Sequence, residues 1–267
     1  MTIGQSELPI AIVTGSSNGI GRSYALRLAA DGYAVLLIGR DADRLDEVRR
    51  DIETDGGKAE SLVVDLATAD GIATVADAIR RLPRIDFLVN NAGFGSMGDF
   101  VNVAADVHAD MIHVHCVAVV RLTHAALGPM IAAGRGNIVN VSSMSAFLIA
   151  PGQVTYASTK AMLVSFSESL QAELKPHSIR VQALCPGFTR TAFHDRTAFR
   201  TFDRRTISPG LWMTPDAVVS DSLAGLRSRK VVCVPGWKNK GISQLFRLRF
   251  FRKLLGGKVR KKPVATD

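Results

Sequence analysis

The sequence predicts a single α/β domain, in which a parallel sheet of about seven strands is covered by helices on both faces. Short apolar runs alternate with longer segments that carry apolar residues at helical spacing, which is typical of repeated βαβ units. A length of 267 residues suits one unit of this class. The hydrophobic fraction of 47% and the charged fraction of 21% argue against a disordered, fibrous or disulfide-stapled chain.

Seven short runs rich in leucine and β-branched residues are the predicted strands. They cover residues 10–14, 34–38, 61–64, 87–89, 137–141, 180–184 and 230–234. Between them, helical spacing predicts helices over residues 19–30, 41–55, 68–82, 104–133, 154–175 and 215–227. Right-handed crossovers between parallel strands then give a doubly wound sheet of the Rossmann type.

Two segments depart from this alternation. Residues 187–211 have no clear period and are rich in Thr, Arg and Phe, and we interpret them as a mobile substrate loop. We predict that residues 1–237 form the domain, with the loop, and that residues 238–267 form a basic C-terminal extension.

The net charge of +9 is concentrated near the C-terminus. Thirteen Lys and Arg and no acid lie between Ser222 and Thr266, which leaves 20 basic and 24 acidic residues elsewhere. A nucleic-acid-binding domain would more often carry this charge on a folded face, so we expect no nucleic-acid partner. For the basic, partly apolar tail two interpretations stay open: contact with anionic lipid or an acidic substrate, or packing on the protein's own body or on a second subunit.

The cysteines and the N-terminus indicate the cellular compartment of the protein. Cys116, Cys185 and Cys233 are isolated and lack CxxC spacing, which indicates reduced thiols and no metal site. The N-terminus has no basic region before an apolar run, and we see no run of about 18 apolar residues. We expect a soluble cytoplasmic protein, membrane-associated only if the tail binds lipid.

The first predicted strand runs through Thr14-Gly15-Ser16-Ser17-Asn18-Gly19-Ile20-Gly21 directly into a helix. A pyrophosphate at this helix N-terminus would meet free backbone N–H groups and the positive end of the helix dipole. A glycine cluster alone also suits a tight strand-to-helix turn, but its place in a βαβ unit favours dinucleotide binding. The predicted contacts are Gly15, Ser17, Asn18 and Ile20.

Arg40 ends the second strand, where an NAD site usually has an Asp or Glu against the ribose hydroxyls. Its guanidinium suits a 2′-phosphate, so the sequence favours NADP(H). The alternative is that Arg40 caps its strand or pairs with Asp41 or Asp43. Asp65 would accept a hydrogen bond from the adenine amine, with Leu66 beside it, or would cap the next helix.

Tyr156 and Lys160 are four residues apart in a segment of helical period, so both project from one helix face. A phenol with a pKa of about 10 is a poor base, but a nearby ammonium favours the phenolate. Ser143 ends the fifth strand, and its hydroxyl would bond a carbonyl oxygen while Tyr156 delivers the proton. The alternatives are an exposed helical pair and a strand-end cap.

Together these residues resemble the short-chain dehydrogenase/reductase family over about residues 10–191. The resemblance rests on residues 14–21, Asn90-Asn91-Ala92-Gly93, Ser143, Tyr156-x-x-x-Lys160 and Pro186-Gly187. It implies that Tyr156 is the general acid/base, that Lys160 binds the nicotinamide ribose and lowers the tyrosine pKa, and that Ser143 orients the substrate oxygen.

The same resemblance implies further contacts and a partner. Asn91 and Gly93 would lie along the cofactor, while Pro186, Gly187 and Thr189 would hold the nicotinamide carboxamide. A homodimer or homotetramer would form through the helices predicted over residues 104–133 and 154–175.

One residue departs from the family pattern. The family usually has an asparagine in the long helix before the fifth strand, where this sequence has His115. In the family that asparagine helps to hold a water that joins the lysine to solvent in a proton relay. Either His115 replaces it in the relay, since imidazole titrates near neutrality, or it is a buried histidine in a chain whose catalysis is weakened or differently routed.

The sequence therefore predicts an NADPH-dependent oxidoreductase that interconverts a carbonyl and a secondary alcohol on a moderately hydrophobic small molecule. The candidate apolar pocket wall is Phe94, Met97, Phe147, Phe188 and Phe193. The alternative is an NADP(H)-sensing or scaffolding protein without turnover.

Overall fold

The computed structural model describes residues 3–5, 7–195 and 203–247. Its strands form one seven-stranded sheet in the order β3-β2-β1-β4-β5-β6-β7, and every pair is parallel. The strands are β1 Ile10–Thr14, β2 Ala34–Gly39, β3 Lys58–Val63, β4 Phe87–Asn90, β5 Gly136–Val141, β6 Ile179–Leu184 and β7 Val232–Cys233. The predicted doubly wound α/β fold of the Rossmann type is confirmed.

The helices are α1 Gly19–Ala30, α2 Ala42–Thr54, α3 Ala69–Arg81, α4 Ala105–Ile112, α5 Ala118–Ala132, α6 Val154–Glu173, α7 Pro215–Arg227 and α8 Trp237–Arg247. Side chains cap three of their N-termini: Asp41 accepts from Arg44 N, Thr68 from Gly71 N and Thr214 from Ala217 N. The helix predicted over residues 104–133 is present, but a π-helical turn, His113–Val117, separates α4 from α5.

Two strands differ from their predictions by more than one residue in length. The third strand begins at Lys58 instead of residue 61, because this edge strand pairs only with β2 and alternates polar with apolar residues. The last strand is limited to Val232–Cys233, since the Lys230 N–H bonds the Gly225 carbonyl in the turn that closes α7.

The sheet separates two apolar layers. Along β1, Ile10 and Ile12 pack into the layer that contains α3 and α5, whereas Ala11 and Val13 pack into the layer that contains α1, α2 and α7. Strands buried on both faces are apolar throughout, which explains why the central strands were the easiest to recognise. The carboxyl ends of the strands meet along one edge of this sandwich.

The opposite, amino edge of the sheet is held by Asp86, whose side chain is 9% exposed. It accepts hydrogen bonds from Arg84 Nε at 2.5 Å and Arg135 Nε at 3.0 Å, and its backbone bonds Ile10 and Asn137. Asp86 thereby joins the starts of β1, β4 and β5 through its backbone and its carboxylate.

The stretch Ala105–Ala132 is, by length and composition alone, apolar enough to cross a membrane. The stretch contains no uninterrupted run of 18 apolar residues, because His, Thr, Asp and Arg residues are scattered through it. Half of its most apolar window is buried inside the domain, where Met111, Leu122 and Met130 belong to the core. This is the pattern of a core helix.

Only the start of the predicted C-terminal extension falls within the described residues. In α8, Asn239 and Ser243 are buried, and Asn239 Nδ2 lies 3.6 Å from Met213 Sδ of the body. Residues 248–267, and with them lipid contact by the tail, lie outside the described part, as do residues 196–202 of the predicted substrate loop. The domain boundary at residue 237 stays a prediction.

Candidate active site

The glycine-rich turn, residues 14–21, joins β1 to α1 at the carboxyl edge of the sheet. Gly15 has a φ of +65°, and a Cβ there would lie 2.9 Å from the Ala92 backbone. A Cβ on Gly21 would overlap the Gly15 carbonyl oxygen. Both positions therefore require glycine for the turn to close.

Thr14 and Asn91 tie this turn to the segment after β4. Thr14 Oγ1 accepts hydrogen bonds from the backbone nitrogens of Asn91 at 2.9 Å and Ala92 at 3.0 Å. Asn91 Nδ2 donates to the carbonyls of Thr14 at 2.9 Å and Gly15 at 3.0 Å. Our sequence reasoning missed the role of Thr14, and it predicted Asn91 as a cofactor contact without its support of the turn.

The remaining predicted contacts of the turn lie at the N-terminus of α1. Ser17 and Ile20 are half-buried there, and Asn18 takes an extended conformation with no side-chain cap bond to the helix. Gly19 has a φ of +57°, and a Cβ on it would come 2.8 Å from Thr191 Cγ2. The segment after β6 thus lies directly against the turn.

Arg40 and Asp65, which follow β2 and β3, form an ion pair in which Nη1 and Oδ2 are 3.4 Å apart. The side chains are 61% and 43% exposed. The alternative that Arg40 pairs with Asp41 or Asp43 is therefore not what the structure shows, and Asp41 pairs with Arg44 instead.

Asp65 does not cap α3, because Thr68 does so. Its other oxygen, Oδ1, accepts from Ala67 N at 2.9 Å. The Leu66 side chain is packed in the core, which leaves its backbone as the part that could meet an adenine.

The segment after β6 crosses the same edge. The Pro186 carbonyl accepts from Met144 N at 3.0 Å, so this segment is bonded to the turn that follows β5. Thr189 is buried, and its Oγ1 donates to the Gly187 carbonyl at 3.2 Å. A Cβ on Gly187 would meet the Asn239 side chain at 2.8 Å, which places α8 behind the segment.

Ser143, Tyr156 and Lys160 come together at this edge. The Ser143 hydroxyl lies close enough to the Tyr156 phenol to lower its pKa, and Ser143 Oγ accepts from Ser145 N at 3.1 Å. Lys160 Nζ lies 5.7 Å from the Tyr156 ring centroid and donates to the Val141 carbonyl at 2.9 Å. The side chain of Ser142 binds the Lys160 carbonyl at 2.6 Å, which anchors α6 to β5.

Burial governs the protonation of this group. Burial raises the pKa of Tyr156 above its ordinary value, and the nearby Ser143 hydroxyl only partly opposes this rise. Burial also lowers the pKa of Lys160 to about 8. At neutral pH the tyrosine is therefore a phenol with a proton to donate, and the predicted effect of the ammonium on Tyr156 is not the dominant one.

His115 lies in the π-helical turn and is fully buried. Its Nε2 is 3.2 Å from Phe94 N, and its Nδ1 is 2.9 Å from Thr159 Oγ1. Its ring centroid is 5.9 Å from that of Tyr156. The structure therefore brings His115 beside Tyr156 and Lys160, two of the other three predicted catalytic residues.

Of the five residues predicted to line an apolar pocket, two lie beside the candidate catalytic residues. Phe193 lies 5.9 Å from Tyr156 and Phe94 lies 6.0 Å from His115, measured between ring centroids. Phe147 belongs to a core cluster, and Phe188 packs against Trp212 at 5.3 Å. Met97 is half-buried.

Comparisons with known proteins agree with these motifs. The family model of the short chain dehydrogenase matches residues 9–199. The chain is 35% identical over 184 residues to the 3-oxoacyl-(acyl-carrier-protein) reductase FabG of Aquifex aeolicus, a match that covers 68% of this chain and 74% of that protein.

Two solved structures extend the comparison. A short-chain dehydrogenase from Sphingobium yanoikuyae in complex with NADPH has 32% identity and a TM-score of 0.82, covering 97% of this chain and 99% of that one. The bulky-bulky ketone specific alcohol dehydrogenase from Comamonas testosteroni has 28% identity and a TM-score of 0.76, covering 97% and 98% of the two chains.

Proposed function

Because the chain belongs to the short-chain dehydrogenase/reductase family, an oxidoreductase family acting on CH–OH and C=O groups, we propose that it is an NADPH-dependent reductase of a moderately hydrophobic carbonyl compound. The observation that carries the proposal is the convergence of Ser143, Tyr156 and Lys160 at one edge of the sheet, beside the glycine-rich turn. The turn fits a dinucleotide, because Gly15 and Gly21 keep its backbone free of side chains.

The protein's own groups supply the proton chemistry of the reaction. A bound nicotinamide supplies the hydride. Ser143 donates a hydrogen bond to the carbonyl oxygen and polarises it, while Tyr156, a phenol at neutral pH, protonates that oxygen as negative charge develops. The Lys160 ammonium stabilises the tyrosinate left behind, and its bond to Val141 keeps it in place. The reverse steps oxidise an alcohol.

Arg40 supports the choice of NADPH. Its side chain is exposed, carries a permanent charge and stands where an acidic residue would favour NADH. A 2′-phosphate would compete with Asp65 for the guanidinium, and a divalent anion with several acceptor oxygens is the stronger partner. The released Asp65 would then be available to the adenine amine.

A ketone or β-ketoacyl substrate is the proposed class. Phe193 beside Tyr156 and Phe94 beside His115 give the site an apolar wall. The names of two similar proteins, a 3-oxoacyl reductase and a bulky-bulky ketone specific alcohol dehydrogenase, point in the same direction.

A second copy of the chain is the proposed protein partner. Ile112, at the end of α4, and Val120, on α5, are large apolar residues that are 44% and 40% exposed. Large apolar side chains on a helix face suit a homodimer or homotetramer. Light scattering on the purified protein tests this, and a monomer at all concentrations would reject it.

The function itself is tested with a panel of ketones, aldehydes and acyl thioesters, each followed by the loss of NADPH absorbance. We expect turnover of at least one hydrophobic ketone or β-ketoacyl thioester, and none by Tyr156→Phe, whose ring still packs in place. NADPH binding is measured in parallel by fluorescence. Tight binding without turnover of any compound would reject the proposal in favour of an NADP(H) sensor.

A further inference from the structure

His115 connects two segments that face the cofactor cleft. Nε2 meets the backbone N–H of Phe94 in the post-β4 loop, residues 91–95, and Nδ1 meets the hydroxyl of Thr159 on α6. Thr159 directly precedes Lys160 and follows Tyr156 by three residues. The imidazole therefore links the loop to the turn of helix that carries the proton-transfer groups.

The hydrogen-bond partners assign the proton on the ring. A backbone N–H can only donate, so Nε2 must accept from Phe94. A neutral imidazole then carries its proton on Nδ1 and donates it to Thr159 Oγ1. The Thr159 hydroxyl donates in turn to the Tyr156 carbonyl at 2.9 Å. Every donor in this chain of three bonds has one acceptor.

This arrangement leaves His115 no free position for a moving proton. An imidazole nitrogen has one in-plane lone pair, and Phe94 occupies that of Nε2. Proton uptake would break this bond in a fully buried site, where an unmatched donor is costly. Burial, and secondarily the charge of Lys160, lower the pKa of His115 well below its ordinary value.

The groups that face the His115 imidazole favour its neutral form. From α6, His115 meets the Lys160 side chain, which disfavours the imidazolium, and the edge of the Tyr156 ring. From the post-β4 loop it meets the Phe94 ring, and Cys116 is its neighbour along the π-helical turn. Within the described residues, Lys160 is the charged group that shifts the pKa of His115.

We propose that His115 is a positioning residue: as a neutral Nδ1–H imidazole it fixes the post-β4 loop against α6, and it carries no proton during turnover. Gly93 shows how close this packing is, since a Cβ there would lie 2.8 Å from His115 Nε2 and 3.5 Å from Lys160 Nζ. The imidazole thus sets the separation between the loop backbone and the Tyr156–Lys160 pair. The kinetic part of this inference rests on the proposed function; the assignment of the proton does not.

The direct test is ¹⁵N NMR of the histidine side chains in the full-length protein, with and without NADPH. The spectrum of His115→Asn identifies the signal of His115 among the 6 histidines. We expect the Nδ1–H tautomer without titration from about pH 6 to about pH 9. A signal of the Nε2–H tautomer, or a titration within this range, would overturn the proposal whether or not the enzyme turns over.

The kinetic test compares Thr159→Val, Thr159→Ser and Ser167→Ala, using the most active compound of the panel. Valine keeps the shape of threonine but cannot bond His115, so we expect kcat to fall about tenfold or more with the pH profile unchanged in shape. Serine should restore kcat to within about twofold, because the hydroxyl returns.

Ser167→Ala controls for general destabilisation, since Ser167 is an equally buried hydroxyl of α6 that binds Asn140 and not His115. It is expected to lower Tm and to leave kcat and the NADPH Kd near those of the wild type. The proposal fails if Thr159→Val keeps wild-type kcat, or if its pH profile loses an inflection as a proton relay requires. Should Thr159→Val not fold, the NMR result decides alone.

Discussion

Lys160 is only 5% exposed, so its amine is buried. Burying the amine has a measurable cost in the free energy of unfolding. The folded-state pKa of about 8 lies below the ordinary value of 10.5. Between these two values the unfolded chain binds more protons than the folded one, so the free energy of unfolding rises with pH across that window and is constant with respect to this group below it.

Replacing Lys160 with methionine should remove this dependence. We expect Lys160→Met to be inactive and yet more stable than the wild type at neutral pH, because no buried charge remains. The stability advantage should shrink by about 3 kcal/mol between about pH 8 and about pH 10.5. Urea unfolding of both proteins across this range measures it. An advantage that stays constant with pH would show that the amine is not perturbed as described.

Arg40 allows a test of cofactor choice that leaves the catalytic residues untouched. Arg40→Ala should raise the Kd of NADPH roughly 10- to 100-fold, the loss of a charge-assisted contact worth about 1.5–3 kcal/mol, with little change for NADH. Fluorescence titration with both cofactors measures this. Equal weakening for both would mean that Arg40 only shapes the site.

For single residues, the sequence predicts which residues form the site better than it predicts which other residues they contact. The candidate catalytic residues were recognisable because their types and spacing carry the chemistry, and the structure brings Tyr156 and Lys160 together with Ser143 and His115. What spacing could not give is the pairing of Arg40 with Asp65, 25 residues away, or the bond from Phe94 to His115. Such contacts depend on how separate loops meet across the sheet edge.

At the scale of elements, the glycine-rich turn should tolerate no side chain at Gly21. A Cβ there overlaps the backbone of the turn itself, which cannot move aside as a flexible side chain could. We expect Gly21→Ala to lose about 2–3 kcal/mol of unfolding free energy and most NADPH affinity.

Gly241→Ala is the matched control for this prediction. Gly241 is an exposed residue within α8 with open space around its Cα and no proline after it, so alanine there should stabilise the protein by about 0.5–1 kcal/mol and leave NADPH binding unchanged. Thermal melts and fluorescence titration of both variants check the pair. A harmless Gly21→Ala would contradict the packing of the turn.

The helices show where periodicity stops being informative. Spacing located the helix over residues 104–133, but it could not reveal the π-helical turn, since one extra residue per turn only shifts the phase of the apolar face. That phase shift lies at His115, the position that departs from the family pattern. The edge strand β3 was shortened in the prediction for a related reason, as Lys58 and Glu60 interrupt its apolar run.

At the scale of the whole molecule, stability and function are assigned to opposite edges of the sheet. Asp86 joins three strands at the amino edge, and the cofactor turn and catalytic residues lie at the carboxyl edge. Asp86→Asn should lower the free energy of unfolding by about 1–3 kcal/mol, because two arginines lose their charged acceptor. The NADPH Kd and kcat should not change below the melting transition. A parallel loss of activity in the fully folded variant would show that the two edges are coupled.

Transfer of an isotope shows whether a carbonyl carbon receives hydride from NADPH beside Tyr156. NADPH carrying deuterium at both C4 positions, so that either face delivers the label, is incubated with the most active ketone or thioester, and the alcohol is analysed by mass spectrometry and NMR. We predict deuterium at the carbinol carbon with the wild type, and no labelled alcohol with Tyr156→Phe despite intact NADPH binding. An alcohol without the label, or equal labelling by Tyr156→Phe, would contradict the account.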